Sequence, residues 1–177
     1  IHSGAQPDPT TNARATPIYQ TTSYVFNNAE HAKNLFALAE FGNIYTRIQN
    51  PTQDVVEQRV AALEGGTAAL LVSSGQAAET FAVLNIAEAG DHIVASAAMF
   101  SSCHVVITEI LPKWGVTYEL VKANDKAGWE KALSNKVKAV FIETPSNPLL
   151  EIVDIRFVSD LAHKVGATVI VDNVMAS

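Results

Sequence analysis

The stretch VKAVFIETPSNPLLEIVDIRFVSDLAHKVGATVIVDN, residues 137–173, decides the fold. It opens on an apolar run of strand length, Val137–Ile142, and closes on another, Thr168–Val171. Between them, residues 155–165 read as a helix that stops at Gly166. Strand, helix and strand in that order predict two parallel strands joined by a crossover, because parallel partners need a connection of a dozen residues or more. Pro145 and Pro148 make the segment after the first strand stiff and non-helical.

The same alternation extends upstream. Apolar runs at 68–72, 92–95 and 116–121 have strand length, and helical stretches fill 76–89, 100–113 and 126–133. Gly90-Asp91 and Gly115 stand where helices should end. The predicted class is α/β, a mostly parallel sheet with helices on both faces. Sheets of this kind bind ligands beyond the carboxyl ends of their strands. Chemistry is therefore expected at 73–76, 97–102, 144–148 and 172–173.

Before this region the pattern differs. The first thirty residues are rich in Thr, Asn, Pro and Ala, show no sustained period, and read as an extended arm. A short helix is expected at 29–39. Asn50-Pro51-Thr52-Gln53 then sets a capping Asn before a first-turn Pro, with a Gln three residues after the cap. A helix is expected from there to Glu64, ending at Gly65-Gly66.

Bulk composition narrows the function. The 177 residues are 48% hydrophobic and 17% charged, the balance of a packed globular chain. A net charge of −6 without a basic cluster argues against nucleic acid as a partner. The apolar runs are too short to cross a bilayer, and the N-terminus lacks the layout of a secretory signal. One cysteine, Cys103, excludes an internal disulfide and reads as a small buried residue. A cytoplasmic setting is expected. The five histidines have no metal-ligand spacing, and no metal is expected. The nucleotide signatures G-x-G-x-x-G and G-x-x-x-x-G-K-[ST] and the G-x-S-x-G elbow are all missing from the chain.

Several residues could carry chemistry. Ser73-Ser74-Gly75-Gln76 joins a strand to a helix, where backbone N–H groups and the helix dipole suit a phosphate. Its bland reading is an ordinary Ser cap and Gly turn. Asp172 ends an apolar strand, where a carboxylate can hold a proton on a heteroaromatic nitrogen; a cap or a loop salt bridge would explain it as well. Tyr45 and Arg47, two apart in extended geometry, would share a face and suit a phosphate, or be a packed Tyr and a solvated Arg. The Asn147 amide could donate to a ligand oxygen or close an Asx turn. Phe100 could stack on a flat ring or pack in the core. Taken together, these positions suggest a ring-bearing phosphate ligand.

At these residues the sequence resembles the cystathionine γ-synthase-type family of pyridoxal-phosphate enzymes, of the aspartate-aminotransferase-like fold. The matching pieces are residues 17–24 (PIYQTTSY), 45–52 (YTRIQNPT), 73–78 (SSGQAA), 143–148 (ETPSNP) and 171–173 (VDN), in the family's order. The resemblance implies that Gly75 and Gln76 hold the pyridoxal 5'-phosphate through its phosphate. Phe100 would stack on the ring, Asp172 would pair with its nitrogen, and Asn147 would sit near the ring hydroxyl and the substrate carboxylate. Tyr45 and Arg47 would reach the cofactor of a neighbouring subunit in a homo-oligomer, a tetramer built from dimers. Residues 1–50 would then form an inter-subunit arm with a short helix, and 51–177 part of the cofactor-binding domain.

The resemblance is closest to O-acetyl- and O-succinylhomoserine sulfhydrylases, which use sulfide to replace the acyl group of a small amino-acid substrate and give homocysteine. Residues up to Ala95 resemble the acetyl branch and those from Met99 the succinyl branch, which leaves the acyl group open. Where many members have Tyr followed by Gly-Gly-Thr, this chain has Phe100-Ser101-Ser102-Cys103. The family's Schiff-base lysine stands in a Ser-x-Thr-Lys setting, and no lysine of this chain has that setting, so the catalytic lysine is unassigned and this polypeptide is expected to be inactive alone. Cystathionine γ-synthase or C–S lyase chemistry, an inactive oligomerising chain and a small phosphate-binding module are the alternatives.

Overall fold

In the computed structural model, which describes residues 2–134 and 136–176, four strands form one sheet in the order β2-β1-β3-β4, every neighbouring pair parallel. They are β1 (His92–Ser96), β2 (Thr117–Val121), β3 (Val137–Glu143) and β4 (Thr168–Asp172). The crossover expected from residues 137–173 is present: β3 leads through α6 (Ile155–Lys164) to β4, with Asp154 capping the helix by accepting from Phe157 N–H at 3.0 Å.

Alternation along the strands sends side chains to two cores. Ile93, Ala95, Ala139 and Phe141 join Val83, Cys103 and Ile107 on one face, beneath α3 (Gly75–Leu84) and α4 (Ser101–Val105). Val94, Val140 and Ile142 join Trp129, Val158 and Ala162 on the other, beneath α5 (Lys126–Ala132) and α6. Each fully buried aliphatic side chain contributes about 1.5–3 kcal/mol against its exposed state, so this doubly covered sheet is the main store of stability.

Two expectations need correction. Residues 68–72 form no strand. Leu71 N–H donates to Glu57 Oε1 at 2.7 Å and Leu71 O accepts from Gln53 Nε2 at 2.9 Å, so side chains of α2 (Pro51–Glu64) take the groups a sheet partner would need. The stretch 100–113 is not one helix either. After α4 the winding loosens into a π turn at Val106–Ile110 and tightens into a 3-10 turn at Leu111–Trp114. The β-branched run Val105-Val106-Ile107-Thr108 crowds an α-helix, Thr108 Oγ1 donates back to His104 O at 2.8 Å, and Pro112 removes a donor and clashes with the carbonyl four residues earlier.

The chain divides into two compact units, 1–71 and 72–177, with α2 in the first. In the first unit α1 (Ala29–Phe36) is capped by Asn28, and α2 starts and stops where the sequence says. Asn50 Oδ1 accepts from Thr52 N–H at 2.9 Å, and Gly65 ends α2 at φ 65°, a left-handed conformation natural to glycine. Gln53 does not complete a capping box, because its amide is spent on Glu57 and Leu71. Among the described residues, no helix is long and apolar enough to cross a membrane.

Candidate active site

At the carboxyl ends of β3 and β4 lies a cavity of about 520 Å³, a volume ordinary for small-molecule sites. Glu143 and Asp172 are register partners at the ends of these strands, with Phe141 and Ile170 one alternation below on the same wall. The N-terminus of α3 supplies Gly75, Gln76 and Glu79, and the start of α4 supplies Phe100, Ser102 and Cys103. The loop after β3 supplies Asn147.

Five of the seven residues singled out in the sequence therefore line one cavity: Gly75, Gln76, Phe100, Asn147 and Asp172. Ser74 caps α3, its hydroxyl accepting from Ala77 N–H at 3.1 Å while Ala78 N–H bonds to Ser74 O. Both the cap and the anion-ready N-terminus are thus present. They leave the N–H groups of Gly75 and Gln76 as the donors of the first turn without a partner among the described residues. Phe100 is 43% exposed, which removes the core reading for its ring. The loop holding Asn147 is closed by main-chain bonds, Leu150 N–H to Ser146 O at 2.7 Å and Ser146 N–H to Glu151 O at 3.0 Å, so its amide is not spent on an Asx turn. Asp172 Oδ1 accepts from Val174 N–H at 3.0 Å, and no cation pairs with it among the described residues.

Tyr45 and Arg47 lie in the first unit. The extended geometry expected from the sequence is corrected here: Tyr45 forms one bridge to Ser23, and the chain then turns, with Ile48 N–H bonding back to Tyr45 O at 2.8 Å. The two side chains meet all the same, the guanidinium carbon 5.5 Å from the centre of the Tyr45 ring.

Sequence reasoning missed two carboxyl groups here. Glu79 is the one charged residue in the apolar helix GQAAETFAVL, a signal that could have found it. Burial pushes its carboxyl from the ordinary 4.5 up to about 7, and the neighbouring Asp172 and Glu143 act in the same direction. One of its oxygens, Oε2, is buried without a partner, as is Gln76 Nε2. Glu79, Cys103 and Asp172 bring ligand-type atoms within 4.8 Å of one another. Burial and the adjoining Glu79 push the Cys103 thiol well above its usual range, so it stays protonated. The second missed group is Glu143, 1% exposed, whose signal was the one that exposed Asp172: a charge ending an apolar strand.

A protein-family profile described as Cys/Met metabolism PLP-dependent enzyme matches residues 1–177. The chain belongs to that family. Its fold is that of the pyridoxal-phosphate enzymes of fold type I. An O-acetyl-L-homoserine sulfhydrylase from Leptospira meyeri is 50% identical over 177 residues, all of this chain and 40% of the relative. One from Corynebacterium glutamicum is 43% identical over 178 residues, again all of this chain and 41% of the relative. The chain thus spans about two-fifths of the length of the curated relatives it matches. Among solved structures, one from Campylobacter jejuni that carries N'-pyridoxyl-lysine-5'-monophosphate superposes with a TM-score of 0.91 at 37% identity, over 97% of this chain and 42% of that one. A cystathionine gamma-lyase from Lactobacillus plantarum superposes at 0.84 and 33% identity, over 97% and 42%.

Proposed function

We propose that this chain supplies the cofactor-holding part of a pyridoxal-phosphate-dependent O-acylhomoserine sulfhydrylase, with the acetyl ester as donor. The observation that carries the reading is the cavity at the ends of β3 and β4, which gathers Gly75, Gln76, Phe100, Asn147 and Asp172. The residues fit the cofactor's parts. Two unpartnered N–H groups at a helix N-terminus suit its phosphate, the unpartnered Gln76 amide suits a further oxygen, and a strand-end carboxyl suits its ring nitrogen. The acetyl donor is favoured because two sulfhydrylases similar to the whole chain, those from Leptospira meyeri and Corynebacterium glutamicum, are named for it.

In this reading α3 binds the phosphate with the N–H groups of Gly75 and Gln76. Asp172 holds a proton on the ring nitrogen, Phe100 covers a ring face, and Asn147 donates toward the ring hydroxyl and the substrate carboxylate. Bound pyridoxal phosphate supplies the electron sink for carbanions of the amino-acid substrate. Turnover calls for a proton-moving lysine that residues 1–177 do not supply in the Ser-x-Thr-Lys setting. Tyr45 and Arg47 reach the cofactor of a second copy, and the arm of residues 1–50 lies across that copy, with 51–177 as part of the cofactor-binding domain. The exposed apolar side chains of the first unit, Val25 and Phe41 among them, support such a dimer and a tetramer built from it. A cytoplasmic setting completes the reading.

The test is the ligand specificity of the purified protein. Pyridoxal phosphate should bind at least tenfold more tightly than ribose 5-phosphate or inorganic phosphate, and preparations that turn over should make homocysteine from O-acetylhomoserine and sulfide. Equal affinity for all three phosphates would reduce the chain to a phosphate-binding module. Cystathionine formed from cysteine would move it to γ-synthase chemistry.

A further inference from the structure

Glu143 is the last residue of β3 and, at 1% exposed, among the most deeply buried charged side chains of the chain. Its two oxygens do different work. Oε2 accepts from Phe100 N–H at 2.5 Å, and Oε1 accepts from Asn147 N–H at 2.6 Å. Phe100 lies in the segment after β1, and Asn147 lies in the loop after β3. The sheet order β2-β1-β3-β4 puts β1 and β3 side by side, and the chain leaves β1 toward β2 but continues from β3 toward β4. Glu143 therefore ties two loops across the point where the topology reverses, the place where sheets of this class open to ligands.

A carboxyl is suited to this task in a way an amide is not. Short bonds from N–H donors to an ionised oxygen are about twice as strong as neutral ones, and both oxygens of a carboxylate accept. A glutamine of the same shape could accept from one loop only, because its NH₂ would face the other N–H. Neither bond touches α3, whose first turn carries Gly75 and Gln76.

We propose that Glu143 is a positioning residue for the ring end of the cofactor, fixing Phe100 and Asn147 relative to each other while leaving the phosphate end to α3. The inference rests on the cofactor reading above. It separates two halves of one site by what holds them.

The experiment compares the purified protein with Glu143→Gln and Glu143→Asp, titrated with pyridoxal phosphate, with pyridoxine (the ring without phosphate) and with inorganic phosphate. Both variants should bind the two ring-bearing ligands about tenfold more weakly and bind inorganic phosphate within about twofold of the parent. The induced circular dichroism per bound cofactor should fall as well, because the ring is no longer held in one orientation. Backbone amide exchange in the unsubstituted protein is a check that needs no variant: the Phe100 and Asn147 amides should be protected although Phe100 is half exposed. Unchanged ring affinity in a folded variant would overturn the inference, as would rapid exchange at both amides. Failure of the unsubstituted protein to bind pyridoxal phosphate would instead overturn the cofactor reading, and the ring-positioning role with it.

Discussion

The two units of this chain are held by different chemistry. Residues 72–177 contain nearly every buried apolar side chain, in two clusters on either side of a parallel sheet. Among the described residues of 1–71 one large apolar side chain is buried, Leu35, and α2 buries none along its 14 residues. Their order comes from polar groups instead. Asp8 accepts from Tyr19 OH at 2.9 Å and from the N–H groups of Thr10 and Thr11, and the buried Asn50 amide donates to Tyr19 O at 2.9 Å while its oxygen caps α2. Meanwhile Ile18, Val25, Phe41 and Leu63 are each more than three-quarters exposed. A hydrophobic core specifies the second unit from within. The first is specified by hydrogen bonds and leaves these apolar side chains exposed.

That contrast can be broken by substitution, and the largest effect is expected in the core. Trp129→Ala, at a position 1% exposed, should cost about 3–5 kcal/mol in chemical denaturation. A loss no greater than that from a polar substitution in residues 1–71 would collapse the distinction. Gly4→Ala should cost roughly 2–3 kcal/mol in the same experiment, because φ is 75° there and a Cβ would come within 2.4 Å of the Gln58 carbonyl oxygen. Asn50→Ala should cost about 1–2 kcal/mol through loss of the α2 cap and should disorder the Tyr19 segment, readable as faster amide exchange at Thr52.

The smallest effect depends on pH. The carboxyl of Glu79 is raised in the folded protein, so the fold binds a proton the unfolded chain releases, and stability falls as pH rises from 4.5 to about 7. Glu79→Gln should therefore stabilise by about 1 kcal/mol at pH 8, given partial exposure, and by nearly nothing below pH 4.5. A pH-independent difference would mean that Glu79 ionises freely.

The same contrast explains how much was legible in the sequence. The four strands were readable within a residue or two because their short apolar runs report burial in a sheet covered on both faces, and α2 was readable because Asn50, Pro51 and Gly65 act locally. Residues 68–72 carry the apolar composition of a strand, but side chains from α2 claim the backbone of Leu71, and composition cannot report that. The turn at 46–48 was unreadable for a similar reason: nothing in Tyr45-Thr46-Arg47 demands it, yet stacking of Arg47 on Tyr45 survives it. In the cavity, strand-end logic found Asp172 but passed over Glu143, although the two are register partners. Glu79 was missed because helix positions were read for packing and not for the charge they carry into a cavity.

The central claim is that Asp172 meets the cofactor's ring nitrogen in the cavity at the ends of β3 and β4. The direct measurement is the affinity of pyridoxal phosphate for the purified protein and for Asp172→Ala at neutral pH, with inorganic phosphate as a control. Asp172→Ala should bind pyridoxal phosphate at least about tenfold more weakly, with phosphate affinity unchanged. Equal affinity of the two proteins for pyridoxal phosphate would contradict it.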